Sequence, residues 1–184
     1  DILDGRKLDL VLVGTGPGSY SGVRTGIAAG QGVALTYDCP AVGLGSLAAT
    51  ASSQASETGT ASLAIGDARR GLYFIAKIGP TGEARVPELM DAGEFQDRLA
   101  SEAADSAAIS LFTLDDPAAP WLENILLPAP VERTPPEAAG LINVWLGLPE
   151  SRRVELSKQP LAPCYLRPPF TSKAKSGHPL LRGS

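Results

Sequence analysis

The stretch from Leu8 to Gly30 restricts the fold more than any other part of the chain. Leu8-Asp9-Leu10-Val11-Leu12-Val13 is a short β-prone run, and Gly14-Thr15-Gly16-Pro17-Gly18-Ser19-Tyr20-Ser21-Gly22 stops it with a turn-rich loop. A run that is apolar at nearly every position suits a buried strand in a sheet covered on both faces. From Val23 to Tyr37 there is no proline, and Val23, Ile27, Val33 and Leu35 supply apolar positions, so the spacing predicts a helix capped by Ser19 or Ser21. On that helix Gly22, Gly26 and Gly30 fall at i, i+4 and i+8, leaving one stripe of bare backbone. Each interior glycine costs about 0.5–1 kcal/mol relative to alanine, so the stripe demands a close neighbour. A neighbour within the chain satisfies the demand, and so does a helix of a partner protein.

The next elements repeat the alternation. Pro40 to Leu44 reads as a strand, and Ser46 is expected to cap an alanine-rich helix from Leu47 to about Ser56. A βαβα run of this kind is the mark of a layered α/β sheet with crossover helices. Ser62–Gly66 and Leu72–Ile78 read as strands of a hairpin joined by Asp67-Ala68-Arg69-Arg70-Gly71. A helix over Glu94–Ala104, a strand over Ala108–Leu114 and a proline-punctuated loop from Asp115 to Pro130 follow. Thr134-Pro135-Pro136-Glu137 has the pattern of a capping box, Thr at N-cap and Glu at N3, ahead of a helix over Ala138–Leu148. The end turns prolyl from Pro163 and then basic through Lys173, Lys175 and Arg182, as a surface or disordered tail would.

Composition narrows the function classes. With 43% hydrophobic and 20% charged residues among 184, the chain has enough apolar surface to fold, and the 5% of aromatics makes its core aliphatic. A net charge of −4 removes the broad positive field with which a chain grips nucleic acid by itself. The apolar runs are far shorter than the roughly 20 residues of a membrane span, and Cys39 and Cys164 lack metal-ligand spacing. A soluble cytoplasmic protein without a membrane partner is expected. The sole methionine is Met90 and the chain opens Asp1-Ile2-Leu3-Asp4, so it is read as a fragment.

The glycine loop invites a phosphate reading, because amides at a helix N-terminus attract anions, and Gly16, Gly18 and Ser19 are the residues that would serve. The standard motifs fail, however. A Walker loop ends in Gly-Lys-Ser/Thr, whereas Gly22 is followed by Val23-Arg24, and the sixth position of a G-x-G-x-x-G counted from Gly14 or Gly16 is Ser19 or Ser21. Tight strand-to-helix geometry accounts for the glycines equally well. Asp67, Arg69 and Arg70 fit a solvated turn or an anion site, and Arg24 fits an interfacial ion pair or the surface. The only histidine, His178, lies in the tail, so neither a Ser-His-Asp triad nor a two-histidine metal site can be assembled in the body, and no catalytic residue, metal site or cofactor is predicted.

Four blocks resemble one family. Gly16-Pro17-Gly18-Ser19-Tyr20-Ser21-Gly22-Val23-Arg24-Thr25-Gly26, then Gly43-x-x-Ser46-Leu47, Asp67-Ala68-Arg69-Arg70-Gly71-x-Tyr73 and Tyr165-Leu166-Arg167 resemble, in order and rough spacing, the TsaB (YeaZ) family, often described as glycoprotease-like. Ser21 stands where the family typically has Thr, and Leu114-Asp115-Asp116-Pro117-Ala118 departs from a region often rich in glycine. The resemblance implies an α/β actin-like ATPase fold of two small RNase-H-like lobes. It divides the chain into residues 1–60 as the rest of an incomplete N-terminal lobe, 61–167 as a second lobe and 168–184 as a tail.

It also implies a non-catalytic role in installing the threonylcarbamoyl group on the adenosine beside the tRNA anticodon. The partners would be a TsaD-like transferase and a TsaE-like ATPase, with tRNA touched only indirectly and a homodimer left open. TsaD carries a two-histidine metal motif, so a chain with one histidine looks like its degenerate partner. The pairing surface then falls on Gly22, Val23, Arg24, Gly26, Ile27 and Gly30, and Gly16, Gly18 and Ser19 stay the candidates for nucleotide. Because the family has a strand meander and a helix before this point, exposed apolar surface is expected near Leu10, Leu12 and Ile27. The alternative is an enzyme, a glycoprotease or nucleotide hydrolase of the same fold that uses the glycine loop for phosphate and Asp67 for metal.

Overall fold

A computed structural model describes residues 7–50, 60–79, 83–106, 108–116 and 118–167. The opening run forms β1 (Val11–Gly14), which pairs in parallel with β2 (Ala41–Leu44), Val11 opposite Ala41 and Gly14 opposite Leu44. Between them runs α1 (Tyr20–Thr36), capped by Ser19, whose Oγ accepts the Gly22 N–H at 3.1 Å. α1 packs against β1 and turns inward the narrow stripe Val23, Ile27, Gly30 and Ala34, at i, i+4, i+7 and i+11. Gly30 is what lets it sit so low, because a Cβ at that position would run into Cγ2 of Val13.

Exposed apolar surface near Leu10, Leu12 and Ile27 was an expectation that the structure corrects. Ile27 is 7% exposed. Leu10 and Leu12 are half-buried against a core of Val42, Leu44, Ala48, Ala49 and the residues of two later helices. Those helices, α3 (Ala138–Gly147) and α4 (Glu150–Ser157), come back from the C-terminal part of the chain and bring Leu141, Val144, Leu148 and Leu156 onto the face of the first sheet opposite α1. Two helices of the segment 61–167 therefore complete the core begun by residues 41–49.

Ser46 does not cap a helix of its own. Residues Ser46–Ala49 make one 3-10 turn whose N-cap is Gly45, and the Ser46 hydroxyl instead accepts the Gly16 N–H at 2.9 Å while its own N–H donates to Gly16 O at 2.8 Å. This two-way tie fastens the glycine loop to the end of β2. Thr50 is already extended and bridges to Pro136, and the rest of the expected helix to Ser56 lies outside the described residues.

The second sheet has the order β5-β4-β3-β6-β7. Its centre is the hairpin of β3 (Thr60–Arg69) and β4 (Leu72–Lys77), with β5 (Glu88–Met90) antiparallel at one edge and β6 (Ala108–Thr113) and β7 (Val131–Arg133) parallel on the other side. Alternation along β3 sorts its side chains between two faces. Leu63 and Ile65 join Ile75, Phe95, Leu99 and Leu111 beneath α2 (Ala92–Ala104). Ala64 joins Phe74, Ala76, Ile78 and Phe112 on the opposite face, where Leu47 of the first sheet's turn also packs. α2 begins two residues before the expected Glu94, because Asp91 and Glu94 form a reciprocal capping box.

On α2 the carboxylate of Glu102, buried in the sheet's flank, accepts from Lys77 Nζ at 2.8 Å and from Arg98 Nε at 3.3 Å. The Lys77 hydrogen bond holds its pKa below the usual 4.5, outweighing burial, which acts the other way. A carboxyl depressed in this way stabilises the fold fully above pH 4.5, and the contribution disappears as pH falls through the lower folded-state value. Glu102→Gln is expected to flatten that acid limb, measured as urea midpoints across pH 2–5; parallel curves for both proteins would refute it.

The capping-box pattern at Thr134 serves a different purpose. Thr134 N–H pairs with Thr113 O at 3.0 Å, Pro136 bridges Thr50, and Glu137 N–H donates to Ala49 O at 2.8 Å, so residues 134–136 stay extended between the two sheets. α3 starts after Glu137, its N-cap, with no side-chain cap. A residue before proline is biased away from the helical region, which favours strand-like pairing over a cap at Thr134. The tail residues Lys173, Lys175, His178 and Arg182 lie outside the described residues.

Candidate functional site

A cleft of about 620 Å³ lies between the sheets. One wall is Pro17 to Tyr20, leading into α1; the other is Ile65 to Arg69 with Thr113 to Asp115; Cys164 to Arg167 crosses it. Gly16 has φ +101, and a Cβ there would stand 3.0 Å from Cys164 O, so this position takes glycine for both reasons. The loop is held internally. Gly16 N–H goes to Ser46 Oγ, and Ser19 caps α1 with its hydroxyl on Gly22 N–H and its carbonyl on Val23 N–H. Of the three nucleotide candidates, Gly16 and Ser19 are thus engaged within the fold, and Gly18 lines the cleft.

The opposite lip is the β3–β4 turn. Arg69, Arg70 and Gly71 have φ of 69°, 58° and 73°, three left-handed residues in a row, with Arg70-Gly71 as the two-residue loop. Arginine there is strained by about 1–2 kcal/mol per residue, so the turn needs bracing. Asp67 supplies part of it: its Oδ1 accepts Arg69 N–H at 2.6 Å and its Oδ2 pairs with the Arg69 guanidinium at 3.2 Å. Asp115 Oδ2 accepts Asp67 N–H at 3.3 Å, and Arg167 Nη1 donates to Ala68 O and Arg69 O at 3.4 and 2.8 Å. Asp67 therefore acts as a turn brace, and among the described residues no group of three His, Cys, Asp or Glu is arranged to hold a metal ion.

The outward side of α1 is the second feature. Gly22, Gly26, Ala29 and Val33 follow one another at i, i+4, i+7 and i+11 and are all exposed. A Cβ on Gly26 would meet nothing within 4 Å, and the helix end adds exposed Leu35, at 85%, and Tyr37. Arg24 lies on the flank of the helix, with Nη1 donating to Tyr20 Oη at 2.6 Å and its guanidinium 5.2 Å from the ring centre. Tyr20 in turn stacks on Tyr165, ring centres 5.1 Å apart.

Comparison with known protein families matches residues 3–124 to TsaD, tRNA N6-adenosine threonylcarbamoyltransferase. The chain belongs to the TsaD family. That membership connects it to threonylcarbamoyl modification of tRNA. Two solved structures from Pseudomonas aeruginosa share the fold. An uncharacterized protein with similarity to the peptidase YEAZ superposes at TM-score 0.58 with 24% identity, covering 87% of this chain and 74% of that one. YeaZ itself superposes at 0.57 with 24% identity, covering 86% and 74%. The architecture is the actin-like, RNase-H-like fold expected from the sequence. No curated protein gives a significant match. Among the described residues, no helix is long and apolar enough to cross a membrane.

In this TsaD-family chain the six residues assigned to a pairing surface separate. Gly22 and Gly26 face outward, and Arg24 is exposed but joined to Tyr20. Val23 is half-buried over Gly16 and Gly18, while Ile27 is buried and Gly30 packs on Val13 of β1. Ala29 and Val33 share the exposed stripe with Gly22 and Gly26, at a 22/26/29/33 spacing that is legible in the sequence. The Tyr20–Tyr165 stack had no local signal, since its two rings come from distant parts of the chain.

Proposed function

We propose that this chain is a non-catalytic partner of the TsaB (YeaZ) type, pairing through the outer face of α1 with a TsaD-like transferase that modifies tRNA. The observation that carries this reading is Gly26. Val13 accounts for Gly30, and the cap at Ser19 accounts for Gly22, whose Cβ would crowd the Ser19 hydroxyl. Gly26 has open space around it and no internal reason to forgo the roughly 0.5–1 kcal/mol that alanine would contribute to a helix. A second helix laid across Gly22, Gly26 and Ala29, with Val33 and Tyr37 at its margin, gives the missing reason. The same face would serve a homodimer.

The sequence carries one histidine, which supports the partner role over that of a transferase with a two-histidine metal motif. A TsaE-like ATPase completes the proposed assembly, and the net charge of −4 is consistent with tRNA being held by the partner.

Gly26→Trp is expected to abolish co-purification with the TsaD-like transferase and to lower threonylcarbamoylation in a reconstituted assay, without loss of the helical signal. Undiminished pairing would remove α1 from the interface.

A further inference from the structure

Within the segment Leu161–Arg167 the contacts change from one side of the cleft to the other between Tyr165 and Leu166. On the side of the first sheet, Leu161 Cδ1 lies 2.9 Å from where a Gly43 Cβ would stand, on β2. Cys164 N–H donates to Thr15 O at 2.7 Å, and Tyr165 stacks on Tyr20 at the start of α1. On the second wall, the very next residue, Leu166, packs on the rear face of the second sheet with Phe74 and Phe112, and Arg167 clamps two carbonyls of the strained hairpin turn. Tyr165 and Leu166 thus hold opposite lips, and Cys164 to Arg167 line the cleft between them.

We infer that Leu161–Arg167 is a strap that latches the two lips of the cleft, so that the α1 N-terminus and the β3–β4 turn loosen together and not separately. The chemistry is suited to a latch. A ring stack at the surface and a guanidinium on two neutral carbonyls are each weak contacts, so each hold is reversible under modest force. The bond from Arg167 to Ala68 O and Arg69 O also offsets strain in the left-handed arginines, so releasing the strap frees the turn to relax. Any molecule entering the cleft has to fit beside Tyr165 and Arg167 or displace them.

Hydrogen exchange resolved to peptides over residues 15–24 and 65–73 tests the latch on the whole chain. Tyr165→Ala and Arg167→Ala are each expected to speed exchange at both lips by about ten-fold, including the lip that the altered side chain does not touch, while α2 and β6 exchange as before. Tyr165→Phe, which keeps the ring stack and loses only the hydroxyl's contact with Arg24, is expected to show far less than that ten-fold rise. An effect confined to the lip each side chain touches overturns the strap, and so does a uniform rise across the protein, which would mean that these contacts merely hold the fold together.

Discussion

Phe95→Ala is expected to lower the unfolding free energy by about 3–5 kcal/mol, the range for deleting a large, fully buried aromatic ring. Phe95 projects from the first turn of α2 into the core of the second sheet and is 0% exposed. Its ring lies 5.2 Å from Tyr73 and 6.4 Å from Trp121, the latter edge-on. Neither neighbour can follow it into the hole. Tyr73 is fixed by its ladder positions opposite Asp67 and Met90, and Trp121 sits in the short turn Pro120–Leu122. A cavity that cannot collapse retains its full cost, and total stabilities of about 5–15 kcal/mol leave little margin. The midpoint of urea unfolding reads the loss directly. A change below about 1 kcal/mol would mean that the three rings repack.

Gly30→Leu is the second large effect, and it separates the two kinds of glycine on α1. Even a methyl group at residue 30 collides with Val13 Cγ2, and the extra carbons of leucine have only the β1 surface to enter. α1 buries just Ile27 and Ala34 fully, so lifting it off the sheet forfeits most of what attaches it. A loss of about 1–3 kcal/mol or more is expected, the range for overpacking a filled interface, with the far-UV signal and urea midpoint as the measurements. Pairing Gly30→Ala with Val13→Ala should recover much of the loss of the milder variant, since the two positions share one contact. An unchanged midpoint for Gly30→Leu would show that α1 has no fixed seat on β1.

The parts of the fold legible in the sequence are those whose residues speak for themselves locally. The apolar run before Gly14 and the serine at residue 19 are enough for β1, the loop and α1, and the turn Arg70-Gly71 between apolar runs is enough for the hairpin. The three-residue strands Glu88–Met90 and Val131–Arg133 carry too little pattern to be seen, and each exists only because a longer neighbour offers its edge. Ser46 reads as a helix cap because it precedes an alanine-rich stretch, and Thr134 because Glu137 follows it at the spacing of a capping box. In the structure Ser46 bonds Gly16 and Thr134 bonds Thr113, both remote in sequence, and such competition leaves no local trace. The candidate site divides in the same way. The glycine stripe was visible, but the fact that Gly30 faces β1 and Gly26 faces solvent depends on where the sheet lies.

The core that joins Val42, Leu44 and Ala48 to Leu141, Val144 and Leu156 has a bearing on the order of folding. The second sheet draws its strands from one contiguous stretch, Thr60 to Arg133, and can close while synthesis is still under way. The first sheet cannot. Its inner face stays open to water until the helices of residues 138–157 have been made, so the earlier of the two sheets in this sequence is the later one to close.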